Sequence, residues 1–220
     1  MKHDGDESKA LRQRFLRVGL TGPMASGKSE VLRCFSRLGI PVFNADEIVH
    51  RLYAPGGAAV EGIARLCPGA RDMQGGIDRK VLATHVSRDP ALLSALEAIV
   101  HPHVAEARKA FFDEAEARGA PYAVAEIPLL FETGSERDMD VVIAVVADEA
   151  ASRQHALARP GMTEETWQVL SSRHMTPDEK AARADIVIRN IGTLANLNEA
   201  VKQVHARLMA MAREGGAKET

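Results

Sequence analysis

The chain has little of three features that assign many proteins to a class at once: cysteine, charge of one sign and long apolar segments. Its 220 residues include two cysteines, Cys34 and Cys67, which are far apart and form no C-x-x-C motif. We therefore expect reduced, buried or partly buried thiols in a cytoplasmic protein, and no disulfide framework. The formal net charge is -2, so no overall field favours nucleic acid or an anionic membrane as a partner.

Membrane and targeting signals are also missing from the sequence. The longest apolar run, residues 141–147, has the length of a buried strand and is far too short to span a membrane. Residues 1–14 are polar and of mixed charge, without the apolar core of a secretory signal. We expect residues 1–14 and 213–220 to be disordered tails.

A phosphate-binding motif is present near the N-terminus. Eight consecutive residues fit the pattern G-x-x-x-x-G-K-[ST]: Gly22, Pro23, Met24, Ala25, Ser26, Gly27, Lys28 and Ser29. Backbone N–H groups of such a loop, and of the helix that follows it, bind the phosphates of a nucleoside triphosphate. Lys28 would contact the β- and γ-phosphates, and the Ser29 hydroxyl would bind Mg²⁺. The alternative is a glycine-rich turn with a solvated lysine.

Strand-like and helical segments alternate through much of the chain. The strand candidates are residues 15–20, 40–43, 122–127, 141–146 and 185–188, and the helix candidates are 28–38, 45–53, 149–158, 163–173 and 193–212. This alternation predicts the α/β class with a parallel sheet, here a P-loop nucleotide-binding core of five strands.

Two helical units interrupt the core, which we assign to residues 15–54 and 121–212. Residues 55–120 show no strand and contain helical segments at 57–66, 79–87, 91–100 and 102–118, so they form an insertion that can cover the ligand-binding edge of the sheet. Residues 149–183 carry basic side chains at Arg153, Arg159, Arg173, Lys180 and Arg183. They could form a lid that excludes water and supplies positive charge. A solvated amphipathic helix pair fits the charge pattern equally well.

Two acidic residues follow predicted strands at the edge where the phosphate loop lies. Asp46 comes after the second strand and could orient an acceptor hydroxyl and accept its proton; alternatively, it is the N-cap of the next helix. Glu126 ends the third strand and could bind Mg²⁺ directly or through water; alternatively, it is only an acidic strand end.

Two other motifs carry less weight. His101-Pro102-His103 matches an H-x-H metal pair, but two histidines make an incomplete site. We favour a helix start with Pro102 in its first turn. Residues 72–75, Asp-Met-Gln-Gly, match the D-x-x-G of GTPases, but the chain has no N-K-x-D motif and we predict no GTPase switch.

With these parts in order, the sequence resembles the dephospho-coenzyme A kinase family. The resemblance runs from about residue 16 to 204 and is carried by residues 19–29, 38–46 with His50, 96–102, 127–132, 159–163 and 180–185 followed by Asn190. Many families share the phosphate loop. The segments A-D-x-I-x-H, H-P and P-L-L-F-E are much more specific in this order and spacing.

The resemblance implies that ATP phosphorylates the ribose 3′-hydroxyl of dephospho-CoA, giving CoA and ADP in the last step of CoA biosynthesis. It implies a helical CoA-binding domain, which the insertion would supply, and a lid. The catalytic residues would be Asp46, Lys28, Arg153 and Arg159. ATP would contact residues 22–29 and Asn190, the acceptor would contact Asp46, His101, Pro128 and Leu129, and Mg²⁺ would be bound by Ser29 and Glu126.

The chain departs from the family pattern at Pro23, Ala25, Asn44, Glu126, His155, His174 and Ala181. Pro23 has no N–H and cannot donate to a phosphate. Because Lys28, Ser29 and Asp46 are present, these departures bear on catalytic efficiency and not on the fold. Two alternatives stay open: another small-molecule P-loop kinase, acting on a nucleoside monophosphate or a small alcohol, and a nucleotide-binding regulatory protein with weakened catalysis.

Overall fold

The computed structural model describes residues 14–86, 89–159 and 161–215. At its centre is a parallel sheet of five strands in the order β2-β3-β1-β4-β5. The strands are β1 (Leu16–Thr21), β2 (Val42–Phe43), β3 (Tyr122–Glu126), β4 (Val141–Val146) and β5 (Ile186–Arg189). The predicted α/β class and five-stranded parallel sheet are confirmed. Because the strands are parallel, their carboxyl ends share one edge of the sheet, where ligands bind in this architecture.

Helices cover the sheet and extend beyond it. Within the described residues they are α1 (Lys28–Arg37), α2 (Ala45–Tyr53), α3 (Val60–Leu66), α4 (Arg79–Val86), α5 (Pro90–Ala117), α6 (Glu149–Leu157), α7 (Glu164–Ser171), α8 (Pro177–Arg183) and α9 (Leu194–Gly215). Two short 3₁₀ helices, Pro68–Ala70 and Ser135–Asp138, complete the regular structure of this part of the chain.

The strand that leads into the phosphate loop is held from both sides. β1 pairs with β3 and with β4, and its residues Val18 and Leu20 are completely buried against Phe35 of α1 and Leu208 of α9. β4 is buried along its whole length, as expected for a parallel strand covered on both faces. The pairing and burial of β1 therefore fix the position at which the phosphate loop begins.

The segment between residues 55 and 120 builds a core of its own. Its described residues form α3, α4, α5, a 3₁₀ helix and one isolated antiparallel bridge between Arg71 and Ile77. The apolar side chains Ile63, Leu82 and Val100 are buried together. This helical content agrees with the predicted helices, and the role of the segment as an acceptor-binding unit stays a prediction.

Pro102 lies inside a helix, so the predicted helix start at this residue is wrong. One helix, α5, replaces the two that we expected over 91–100 and 102–118. Proline removes one backbone hydrogen bond from a helix interior and its ring crowds the preceding turn, at a cost of about 3 kcal/mol. Packing offsets this cost on both sides, because Leu96 and Val100 are buried in the insertion while Phe112 and Ala115 are buried against the sheet.

Other boundaries also differ from the predictions. β2 has two residues and not the four expected over 40–43, and α8 was not predicted as a separate helix. α9 continues to Gly215, so the tail predicted from residue 213 begins too early. Arg14 is likewise ordered, since its N–H donates to the carbonyl of Ala212 at 2.9 Å. The rest of the predicted tails, residues 1–13 and 216–220, lie outside the described residues.

Cys34 and Cys67 are buried free thiols. In the described part of the chain, no helix is both long enough and apolar enough to cross a membrane.

Candidate active site

The phosphate loop joins β1 to α1 at the carboxyl edge of the sheet. Gly27 is the N-cap of α1 and has a φ of 96°, which glycine adopts without strain. No side chain of the described residues caps this helix end, so N–H groups of its first turn remain available to an anion. The hydroxyl of Ser26 is buried and has no hydrogen-bond partner among the described residues. Both features fit a loop that binds phosphate oxygens.

Lys28 folds back onto the loop. Its ammonium group donates to the carbonyl oxygens of Gly22 at 3.0 Å and Pro23 at 2.8 Å. The pKa of Lys28 is lowered to about 8, chiefly because burial disfavours the charged form, while Glu126 opposes the shift and Lys180 adds to it. A phosphate that replaced the two carbonyls would favour the charged form again. Pro23, which offers no N–H to a phosphate, therefore contributes its carbonyl to this lysine.

Asn190 closes the other side of the loop. Its backbone N–H donates to the carbonyl of Val146 at 2.7 Å, and its side-chain amide donates to the carbonyl of Ser26 at 3.0 Å. A Cβ atom at position 27 would collide with this amide. A side chain at position 27 would thus displace this amide from the loop and also strain the backbone.

Asp46 lies in the first turn of α2, just beyond the end of β2. The N-cap of this helix is Asn44, whose side chain accepts the N–H of Asp46 at 2.9 Å. The alternative that Asp46 itself is the cap is therefore wrong. Its carboxylate is exposed and is stabilised by the N-terminal end of the helix dipole. Asn44, one of the departures from the family pattern, thus serves to orient the helix that carries Asp46.

Glu126 ends β3 and is 8% exposed. Burial raises the pKa of its carboxyl group, Lys28 and Arg159 oppose the shift, and Asp46 adds to it. Because these charged groups act on one another, they lie close together. The structure therefore brings together residues that come from four different segments of the sequence.

A cavity of about 610 Å³ adjoins this site. Its wall includes the apolar side chains Phe43, Val49, Leu96, Val100 and Val104. Three of the four predicted acceptor residues, His101, Pro128 and Leu129, line it together with Glu126, whereas Asp46 is not part of its wall. Since Glu126 also interacts with Lys28 of the phosphate loop, a ligand that filled the cavity would lie beside that loop.

Most basic residues of the predicted lid are neutralised by carboxylates. The ion pairs are Arg153–Glu164 at 2.7 Å, Arg173–Glu97 at 2.7 Å, Lys180–Glu132 at 2.9 Å and Arg183–Glu136 at 2.6 Å. Arg159 has no ion pair with another described residue and acts electrostatically on Lys28 and Glu126. The structure therefore brings Arg159 toward the phosphate loop but keeps Arg153 paired within the lid.

The pair between Arg173 and Glu97 connects the lid segment to the insertion. Arg173 follows α7, whereas Glu97 belongs to α5 and lines the cavity. Both side chains are partly buried, with exposed fractions of 34% and 23%. The lid segment thus rests on the wall of the cavity.

Lys180 has a role that the sequence did not indicate. We expected a lid cation, but its side chain is fully buried and donates to the Pro128 carbonyl at 2.9 Å and to the Thr21 hydroxyl at 3.3 Å, in addition to its ion pair with Glu132. Glu132 also accepts the N–H of Met175 at 2.7 Å. Lys180 therefore ties α8 to the residue that precedes the phosphate loop and to a residue of the cavity wall.

His174 lies near this buried lysine. Its Nδ1 atom is buried without a hydrogen-bond partner among the described residues. Burial lowers the pKa of His174 to about 4, and the positive charges of Lys180 and Lys28 contribute to the shift. The imidazole is therefore neutral near pH 7.

A phosphate-binding loop, an adjoining apolar cavity and carboxylates between them are the parts that phosphoryl transfer to a bound small molecule requires. Together with the five-stranded parallel sheet, they define a P-loop kinase.

Comparison with known proteins narrows this class. Residues 16–196 match the family model for dephospho-CoA kinase. The chain belongs to this family. A dephospho-CoA kinase of Cereibacter sphaeroides is 42% identical over 202 residues, which cover 91% of this chain and 98% of that protein. One of Rhodopseudomonas palustris is 41% identical over 171 residues, which cover 78% of this chain and 84% of that protein.

Two solved structures share the fold of this chain. A protein of Thermus thermophilus, TT1252, superposes with a TM-score of 0.72 at 35% identity, covering 89% of this chain and 99% of that one. A dephospho-CoA kinase of Campylobacter jejuni superposes with a TM-score of 0.64 over 88% of this chain and 97% of that one. At 19% identity, the second comparison supports the fold alone.

The two glycines at the ends of α1 provide a test of the loop. Gly27 and Gly39 both have a positive φ, but only Gly27 lacks room for a Cβ atom. We expect Gly39→Ala to cost about 1–2 kcal/mol of stability and to leave ATP affinity within about twofold. Gly27→Ala should weaken ATP binding at least about tenfold, because the new Cβ atom displaces the Asn190 amide and breaks its hydrogen bond to the loop. Calorimetric titration with ATP and urea unfolding measure both effects, and equal ATP affinities for the two variants would contradict the account.

The partly buried imidazole of His174 predicts a pH dependence of stability. Because the pKa of His174 falls from its usual value near 6.5 to about 4 in the fold, the unfolded chain binds more protons between these pH values. Stability due to the neutral imidazole is therefore complete above about pH 6.5 and is lost as the pH falls toward 4. We expect the free energy of unfolding of His174→Gln to fall less steeply over this range, measured by urea titration at several pH values. Parallel pH profiles for the two proteins would show that His174 does not titrate in this way.

Proposed function

We propose that the protein transfers the γ-phosphoryl group of ATP to the ribose 3′-hydroxyl of dephospho-CoA and releases ADP and CoA. One observation carries the proposal most directly: an apolar cavity of about 610 Å³ includes Glu126 in its wall, and Glu126 interacts with Lys28 of the phosphate loop. A nucleotide acceptor in the cavity would therefore lie next to bound ATP. The match of residues 16–196 to the family supports the same reaction.

Phosphoryl transfer depends mostly on alignment and on neutralisation of charge. The backbone N–H groups of residues 22–29, Pro23 excepted, would bind the β- and γ-phosphates. Lys28 would exchange its two carbonyl partners for phosphate oxygens. Arg159, which has no ion pair within the described residues, would stabilise negative charge on the transferred group. Asn190, whose amide contacts the loop, would lie beside the adenine of ATP, as the family resemblance implies.

Asp46 is our proposed general base. The acceptor 3′-oxygen forms a bond to the γ-phosphorus while the bond from that phosphorus to the bridging oxygen of ADP breaks. The proton of the hydroxyl passes to the carboxylate of Asp46. This carboxylate is exposed, and the helix N-terminus stabilises its negative charge. His101, Pro128 and Leu129 line the cavity and would orient the acceptor.

The residues at the loop suit a magnesium ion. Ser29 offers an exposed hydroxyl and Glu126 a buried carboxylate, and both are the oxygen ligands that Mg²⁺ prefers. Glu126 would bind it directly or through water. Among the described residues there is no cluster of three or more His, Cys, Asp or Glu side chains that could hold a metal. Mg²⁺ in such enzymes usually has only one or two protein ligands, and phosphates and water complete its coordination. When bound, the ion neutralises charge on the phosphate oxygens.

A panel of acceptors tests the reaction together with the base. We expect ADP release with dephospho-CoA and none with AMP or a small alcohol such as shikimate. Asp46→Asn should lower kcat by about 10²- to 10⁴-fold with ATP affinity changed by less than about twofold. Glu47→Gln, which removes the neighbouring exposed carboxylate of the same helix turn, is the control and should keep normal turnover.

Three outcomes of this panel have different meanings. Turnover with AMP or shikimate but not with dephospho-CoA would favour another small-molecule kinase. ATP binding without turnover on any acceptor would favour a regulatory nucleotide-binding protein. Normal turnover by Asp46→Asn would remove Asp46 as the base.

A cytoplasmic location, which we also propose, agrees with the two buried free thiols.

The lid arginines allow a matched comparison. Arg153 is paired with Glu164 at 2.7 Å, whereas Arg159 acts on Lys28 and Glu126. We therefore expect Arg159→Gln to lower kcat about 10- to 1000-fold, and Arg153→Gln to change it by less than about threefold. Steady-state kinetics with ATP and dephospho-CoA measure both. A larger loss for Arg153→Gln than for Arg159→Gln would reverse the assignment.

A further inference from the structure

The cavity contains one basic side chain whose role is unassigned. Arg108 lines the cavity and is the only lysine or arginine among the described residues that does so. It lies on α5, seven residues beyond His101 and eleven beyond Glu97, which also line the cavity. These spacings correspond to one helix face. The three side chains therefore form a polar row along a mostly apolar wall, about 16 Å long at 1.5 Å per residue.

The positive charge of Arg108 is only weakly neutralised, although little of its side chain is exposed. Its side chain is 11% exposed, and its ion-pair partner in the described part of the chain is Asp138, at 3.4 Å. Charge-assisted hydrogen bonds of this kind are usually about 2.7–2.9 Å long. Asp138 is itself 68% exposed, so water screens its charge. A guanidinium group has five N–H donors, and this contact uses one nitrogen.

Burial lowers the pKa of Arg108, and the attraction of Asp138 only partly opposes the shift. Arginine nevertheless stays protonated in proteins. The fold therefore bears the cost of a desolvated positive charge next to apolar side chains. Such a cost is offset when a ligand supplies the missing anion.

The other charges of the cavity have partners already. Glu97 is held by Arg173 at 2.7 Å, and Glu126 interacts with Lys28. Neither carboxylate can attract an acceptor that carries negative charge. Arg108 is therefore the group of the cavity wall that is able to attract it.

We propose that Arg108 is the anion-binding residue of the acceptor site and that its guanidinium binds the 5′-diphosphate of a nucleotide acceptor. The proposal rests on the proposed function, because dephospho-CoA joins its adenosine to the pantetheine arm through such a diphosphate. The planar guanidinium matches phosphate oxygens in a bidentate manner. The apolar wall would contact the rest of the acceptor, with the ribose hydroxyl near Asp46 and Glu126.

The experiment compares three variants by steady-state kinetics. Arg108→Gln removes the charge at the cavity. Arg118→Gln removes an arginine at the C-cap of the same helix, 75% exposed and paired with Glu114, and is the matched control. Asp138→Asn removes the partner of Arg108 and keeps the guanidinium.

We expect Arg108→Gln to raise KM for dephospho-CoA by about 10- to 100-fold, the loss that follows removal of a hydrogen bond between charged groups. Its KM for ATP should stay within about twofold and its kcat should change less than KM. Arg118→Gln and Asp138→Asn should keep KM for dephospho-CoA within about twofold of the wild type. Potassium chloride should raise this KM less in Arg108→Gln than in the wild type, because one screened attraction is gone.

Two results would overturn this proposal and leave the proposed function intact. One is an Arg108→Gln protein whose KM for dephospho-CoA equals that of Arg118→Gln. The other is an equal rise of this KM in Asp138→Asn, which would show that Arg108 acts by holding Asp138. Absence of wild-type turnover with dephospho-CoA would overturn the proposed function as well.

Discussion

The active site depends on one buried charge, the ammonium group of Lys180. It has no exposed surface and lies between the Thr21 hydroxyl, the Pro128 carbonyl and the Glu132 carboxylate. An ammonium group in such a position is costly to desolvate unless all of its donors are satisfied, and loss of one partner typically costs about 3–5 kcal/mol. The three partners and Met175, which donates to Glu132, must therefore stay in register. This fixes the start of the phosphate loop relative to the cavity wall and to α8.

Three other cations near the site, Lys28, Arg159 and Arg108, are able to bind ligand phosphates. Lys28 is held by loop carbonyls that a phosphate can replace. Arg159 has no ion pair within the described residues, and Arg108 has a long and solvent-exposed one. Most other basic groups of the lid are neutralised by carboxylates. The protein thus separates cations that stabilise the fold from cations that are available to ATP and to the acceptor, and the latter act directly on the bound substrates.

Local patterns in the sequence predicted the core well. The phosphate loop between an apolar strand and a helix, the all-buried β4 and the five-stranded sheet all follow from short-range periodicity and motif spacing. The sequence could not reveal Lys180 as a structural residue, because its partners lie 48 or more positions away. It also misplaced the start of a helix at Pro102, where packing of both halves of α5 outweighs the local preference. The capping box of Thr176 and Glu179 was a local signal that could have identified α8.

We propose that ATP and dephospho-CoA meet where the cavity adjoins the phosphate loop. The most direct measurement is to identify the product by mass spectrometry and ³¹P nuclear magnetic resonance after incubation of the protein with both substrates and Mg²⁺. We predict that dephospho-CoA gains one phosphoryl group on its ribose 3′-oxygen while an equal amount of ADP is formed. Consumption of ATP with dephospho-CoA recovered unchanged, or a phosphoryl group on another atom, would contradict it.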